Sequence, residues 1–104
     1  MSADKPPAIL GLLEVDRVVH EPARLAILTI LAAAEEVEFK FLEATTGLTK
    51  GNLSSHVAKL EAAAYLTVHK EFRDRTPVTT YRITAEGKKA LTAYKRRVLA
   101  GLGG

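Results

Sequence analysis

The stretch Gly47–Glu61, Gly-Leu-Thr-Lys-Gly-Asn-Leu-Ser-Ser-His-Val-Ala-Lys-Leu-Glu, narrows the fold more than any other part of the chain. Leu53, Val57, Leu60 and Ala64 recur at i, i+4, i+7 and i+11, one face of a 3.6-residue period. Thr49 stands where an N-cap belongs, because its hydroxyl can accept from an orphan N–H of the first turn. A helix over about residues 50–63 follows. Its opposite face carries Gly51, Ser54, Ser55, Ala58 and Lys59, with Lys50, Asn52 and His56 alongside. A solvated face ordinarily shows long charged side chains. This face is small and hydrogen-bonding with cations among its edge residues, which suits close approach to another surface. Taken alone, Ser54 and Ser55 also fit ordinary surface serines, and Asn52 fits local hydrogen bonding in the first turn.

The flanking residues supply the partners of this helix. Lys40 to Thr46 reads as a short helix ending at Gly47, which can adopt the left-handed C′ conformation without a Cβ penalty. Two helices across a tight glycine turn make a helix-turn-helix. Val37-Glu38-Phe39 reads as a short strand. Upstream, Glu21-Pro22 opens another helix, since proline at the first helical position forfeits no hydrogen bond. Leu25, Leu28 and Leu31 line one side of it, and Ile27 and Ile30 another. A helix apolar around most of its circumference is central, and the Ile27 side is expected to face a partner chain. Ile9 to Val19 is apolar-rich and is expected to form a short helix lying against another element.

Downstream, Leu66 to Phe72 and Thr79 to Ile83 both alternate, with the polar run Arg73-Asp74-Arg75-Thr76-Pro77 between them. This predicts a β-hairpin, a wing, over about 66–83 with a cationic tip and Pro77 as a breaker. Thr84 caps a last helix of about 85–100, with Glu86 near its positive end. Leu91, Tyr94, Val98 and Leu102 make a narrow stripe on it, flanked by Lys88, Lys89, Lys95, Arg96 and Arg97. The predicted class is mainly α with a small β-hairpin (α+β). A single domain over 8–104 follows a disordered tail of residues 1–7, where two prolines and polar residues bury little.

Composition closes off several functions. At 104 residues there is room for one domain. No run is apolar enough to cross a membrane, the N-terminus lacks the features of a signal peptide, and cysteine is absent. A cytoplasmic location is expected. The formal charge of +3 permits a polyanionic partner without demanding one. His20, His56 and His69 show no metal-ligand spacing, and a structural zinc site needs about four ligands. They read instead as a capping, a groove-facing and a strand-surface histidine. Ser54, Ser55 and His56 diverge by about 100° per residue on a helix, so they cannot form a nucleophile–base pair. No Walker spacing occurs. No enzyme activity, metal or cofactor is expected.

A small-residue helix beside a cationic hairpin favours double-stranded DNA. Small side chains give clearance in the major groove, while Asn, Ser, His and Lys reach base edges and phosphates. Three patterns in order strengthen this: His20-Glu21-Pro22-Ala23-Arg24-Leu25-Ala26-Ile27-Leu28, the run Leu48–Glu61, and Thr80-Tyr81-Arg82-Ile83-Thr84-Ala85-Glu86-Gly87. Over about residues 13–100 the chain resembles winged helix-turn-helix transcriptional regulators of the MarR/ArsR-like superfamily. The resemblance implies DNA binding as a homodimer, and it leaves room for a small-molecule effector. Lys50, Asn52, Ser54, Ser55 and His56 match family DNA contacts on the helix, and Arg73, Arg75 and Thr76 match the wing tip. Thr49 and Lys59 complete the expected DNA face. Leu12, Leu13, Ile27, Leu91, Tyr94, Val98 and Leu102 are the expected dimer interface, with a near-palindromic operator. Two departures stand out: Ala64 occupies a position where the family usually has Gly, and the wing tip lacks its usual glycine. The alternative is a winged-helix module that binds protein within a larger assembly.

Overall fold

In the computed structural model, which describes residues 7–103, a 3-10 segment at Ala8–Glu14 leads into α1 at Pro22–Ala33. Then follow β1 at Val37–Glu38, α2 at Phe39–Thr46, α3 at Lys50–Ala62, β2 at Leu66–Arg73, β3 at Thr76–Ile83 and α4 at Ala85–Gly101. Apart from Pro7, the expected N-terminal tail lies outside the described residues.

The core gathers around α1 because that helix is apolar on more than one side. Ile27, Leu28 and Leu31 are fully buried, packed with Val19, Leu42, Leu53, Leu60 and Leu66. Ile27, expected at a dimer seam, therefore belongs to the protomer's own core. Apolar periodicity says that a side is covered and leaves open which element covers it. Glu21 rather than His20 caps α1, its carboxylate accepting from Ala23 N at 3.1 Å and Arg24 N at 2.8 Å. His20 instead meets Tyr94, with 2.9 Å between Nδ1 and the phenol oxygen.

β1 turns the expected hairpin into a three-stranded antiparallel sheet of order β1-β3-β2. Val37 pairs with Tyr81, while Phe39 begins α2 instead of extending the strand. The hairpin spans the expected 66–83, but its strands reach closer to the tip than their alternation suggested, pairing from Leu66↔Ile83 to Arg73↔Thr76. Only Asp74 and Arg75 turn the chain, at φ 50° and 69°, both left-handed as a two-residue type I′ turn demands. Pro77 lies inside β3 opposite Phe72. Arg73↔Thr76 closes the turn, so the Pro77 nitrogen faces away from β2, on the side the two-residue β1 does not reach. Its missing N–H costs the ladder nothing.

One junction fixes α3 against α4. The α3 helix ends in a Schellman arrangement, with Tyr65 N donating to Leu60 O and Ala64 N to Glu61 O, each at 2.9 Å. Ala64 itself takes φ 64°. The Thr84 hydroxyl donates to Ala64 O at 2.6 Å and accepts from Gly87 N at 2.9 Å. Gly87 lies so close that a Cβ there would be 2.2 Å from Tyr65 O. Tyr65 OH also donates to Asp16, and that hydrogen bond, with burial, pushes its phenol up to about 12.

Leu91, also expected at the dimer seam, is 3% exposed and sits in the protomer's core. Beyond it, α4 leaves the core with the 3-10 segment alongside. A Cβ on Gly101 would lie 2.5 Å from Leu12 Cγ, and Arg97 donates to Glu14 O. Leu12 and Val98 are thus half-buried, so the chain's own N-terminal segment covers part of the stripe assigned to a partner. The molecule is elongated, 65 × 24 × 21 Å. Among the described residues no helix is long and apolar enough to cross a membrane.

Candidate nucleic-acid interface

The α3 helix has one buried stripe, Leu53, Val57 and Leu60, which seats it on the core. Everything opposite is thereby turned outward. Thr49 Oγ1 accepts from Asn52 N at 3.2 Å, so the helix starts at Lys50 with its first-turn amides partly satisfied. Thr49, Lys50, Gly51, Asn52, Ser54, Ser55, Ala58 and Lys59 are all exposed. Gly51 meets nothing within 4 Å of its Cβ position, so the helix start is sterically open.

His56 departs from this face. Its side chain is only 21% exposed and turns toward the start of α1. There Nδ1 lies 3.1 Å from Arg24 Nη1 and 3.5 Å from Glu21 Oε2. The freely groove-facing histidine read from sequence is a tethered one on the helix flank. Arg24 is itself fixed, with Nε donating to Val18 O at 2.7 Å. Neither Glu21 nor Arg24 stood out in the sequence as part of this surface. Arg24 and His56 stand 32 positions apart, so no local pattern signals their contact.

The wing divides its cations. Arg73 binds Glu38 at 2.8 Å and Glu71 at 3.2 Å, so it ties the wing to β1 instead of standing free. Among the described residues Arg75, Lys50 and Lys59 enter no ion pair, and all three are exposed. Thr76 is exposed beside the tip. The left-handed turn projects Asp74 and Arg75 beyond the ladder. Phe72, near the tip end of β2, is 76% exposed. Phe41 on α2 is 54% exposed. Among the described residues no group of His, Cys, Asp or Glu gathers at metal-binding distance.

Comparison with known proteins gives this geometry a context. Residues 23–100 match the family described as "Winged helix DNA-binding domain". An uncharacterised protein of Methanocaldococcus jannaschii is 30% identical over 83 residues, covering 80% of this chain and 90% of that one. The structure of a transcriptional regulator homologue from Pyrococcus horikoshii OT3 superimposes with a TM-score of 0.82 at 26% identity, covering 91% of this chain and 94% of that one. The crystal structure of MarR shares the fold with a TM-score of 0.66 at 15% identity, over 89% of this chain and 69% of that one.

Proposed function

The chain belongs to the winged helix DNA-binding domain family, and from that membership we propose a homodimeric, sequence-specific transcriptional regulator. The α3 helix enters the major groove and reads bases through Asn52, Ser54 and Ser55. Lys50, Lys59 and the Arg75 tip contact phosphates. The observation that carries this is the open α3 face: exposed, small and hydrogen-bonding, beside cations that no carboxylate of the described residues claims. Base edges need short side chains for approach, and phosphates need unpaired cations.

Titration of duplex DNA across salt concentration tests the reading. A dimer that neutralises roughly six to ten phosphates has a slope of log K against log salt of about −5 to −9. Selection of bound genomic fragments should then recover a near-palindromic site. No binding at low salt, or an affinity indifferent to salt, would count against it. One observation favours a second reading, a module that docks protein: Phe72 stands 76% exposed opposite Pro77 on the wing. If Phe72→Ala abolishes capture of a protein partner while leaving DNA binding unchanged, the wing serves that second role.

A further inference from the structure

We infer that Arg24 fixes His56 as the neutral tautomer protonated on Nε2, and that this Nε2–H donates to a phosphate oxygen of the bound DNA. The inference rests on the placing of α3 in the groove. It begins with a donor that cannot accept. The Arg24 guanidinium is held by Nε on Val18 O at 2.7 Å and Nη2 on Arg17 O at 3.4 Å. Its Nη1 lies 3.1 Å from His56 Nδ1. A guanidinium has hydrogens to give and no lone pair to offer, so Nδ1 must be the acceptor. A neutral imidazole accepting at Nδ1 carries its proton on Nε2.

The competing partner is Glu21. Its Oε2 is 3.5 Å from the same Nδ1, beyond good hydrogen-bond length. Both carboxylate oxygens are already engaged by the α1 amides, Oε1 by Ala23 N at 3.1 Å and Oε2 by Arg24 N at 2.8 Å. Glu21 therefore serves α1, and Arg24 sets the ring.

That leaves Nε2–H. Among the described residues it has no hydrogen-bond partner, yet no buried side-chain nitrogen or oxygen is left without one. Nε2 must therefore reach solvent at the exposed edge of a mostly covered ring. Helical spacing puts His56 on the flank between Asn52, four residues before, and the buried stripe, so it lies farther from the centre of the open face than Asn52 does. The centre of the open face is Gly51, Ser55 and Ala58. When that centre approaches base edges, a flank faces the groove wall, and the wall is phosphate. His56 thus presents a neutral, oriented donor to a phosphate, which adds affinity without releasing a counterion.

The test pairs spectroscopy with two isosteres. Long-range nitrogen–proton NMR correlations of the full chain, in buffer alkaline enough to keep imidazoles neutral, should show His56 as the Nε2–H tautomer. Free imidazole already favours the Nε2–H form, so Arg24→Met should reduce the preference, not erase it, as an Nδ1–H population turns to Glu21 Oε2, 3.5 Å away. A tautomer ratio unchanged by Arg24→Met would remove Arg24 from the argument. His56→Gln places an amide N–H near the Nε2 position and should bind DNA within about threefold of wild type. His56→Asn reaches only the Nδ1 position and should bind about tenfold more weakly, the size of one lost hydrogen bond. Both variants should keep the wild-type salt slope. A majority Nδ1–H tautomer, equal binding by the Asn and Gln variants, or a flatter slope for His56→Asn would each overturn the proposal. Failure of the wild-type chain to bind any duplex would sink the groove placement and the phosphate contact with it, while the tautomer spectra would still decide the role of Arg24.

Discussion

Ala64 shows what one residue tolerates when its neighbours determine its backbone. It sits at φ 64°, where a Cβ costs roughly 1–2 kcal/mol relative to glycine. The chain accepts this because Tyr65 N, Ala64 N and the Thr84 hydroxyl all require that path. Ala64→Gly relieves the strain but loosens the unfolded chain, so a net gain of roughly 0.5–1 kcal/mol is expected in denaturant unfolding. Gly87 is the converse case. A methyl there meets the Tyr65 carbonyl at 2.2 Å, so Gly87→Ala should destabilise by about 2 kcal/mol or more, with α3 and α4 pushed apart. The two wing arginines separate by partner. Arg75 has none among the described residues, and Arg75→Ala should weaken binding to all sequences alike and flatten the salt slope by about one unit. Arg73 is tied to Glu38 and Glu71. Arg73→Ala should leave the slope nearer wild type and loosen the wing on β1, visible as faster amide exchange in Val37 and Glu38. Equal slopes for both variants would contradict this division.

At the scale of elements, the structure turns on how α1 and α3 are started and seated. Glu21 is an uncommon N-cap, yet both its oxygens are used. Burial alone would raise its carboxyl, but the hydrogen bonds from the Arg24 and Ala23 amides hold it below the ordinary value. A carboxyl depressed in the folded state stabilises fully above its unfolded value, near 4.3–4.5, and loses that contribution as pH falls through the lower folded value. Glu21→Gln should therefore flatten the acid limb of the melting temperature against pH. Glu21→Ala should cost roughly 1 kcal/mol at neutral pH, as for a lost cap. An acid limb unchanged in Glu21→Gln would show that the cap carries no pH-dependent stability. What could be read beforehand follows the same division between local and distant. The left-handed Gly47, the Thr49 cap, the buried stripe of α3 and the alternation of the wing are set by residues within a few positions of one another, so their spacing displays them. The covering of Ile27 and Leu91, the Glu38–Arg73 ion pair across 35 residues and the Arg24–His56 contact across 32 are set by packing. Periodicity cannot say whether an apolar side meets its own chain or another. The cationic wing tip was legible as composition, but not which arginine an acidic neighbour would claim.

For the whole molecule, the open question is what covers the end away from the core. Ile9 is 61% exposed, Leu13 72%, Leu99 58% and Leu102 71%. All four belong to the 3-10 segment or to the end of α4 and its C-cap, which the Leu12–Gly101 packing and the Arg97–Glu14 hydrogen bond hold side by side. Monomers rarely leave contiguous apolar surface of this kind in water. A two-fold copy would bury each such side chain twice, contributing roughly 1.5–3 kcal/mol apiece before the costs of association. Two recognition helices would then sit about 34–36 Å apart on successive DNA turns. The apolar surface open to such a copy is narrower than the expected seam, because Ile27 and Leu91 are consumed by the core and Tyr94 is half-buried against His20. That sharpens the choice of variant. Leu13→Glu combined with Leu102→Glu changes only exposed positions, so the protomer should stay cooperatively folded, its melting temperature lowered only by the lost linkage to dimerisation. Ile27→Glu should unfold it. The double variant should sediment as a monomer and bind the selected operator roughly 100-fold or more weakly, because one linked contact no longer assists the other. Binding to a single half-site should hardly change. A wild-type chain that is monomeric at micromolar concentration, or a double variant that remains dimeric with undiminished operator binding, would place the dimer seam elsewhere or remove it.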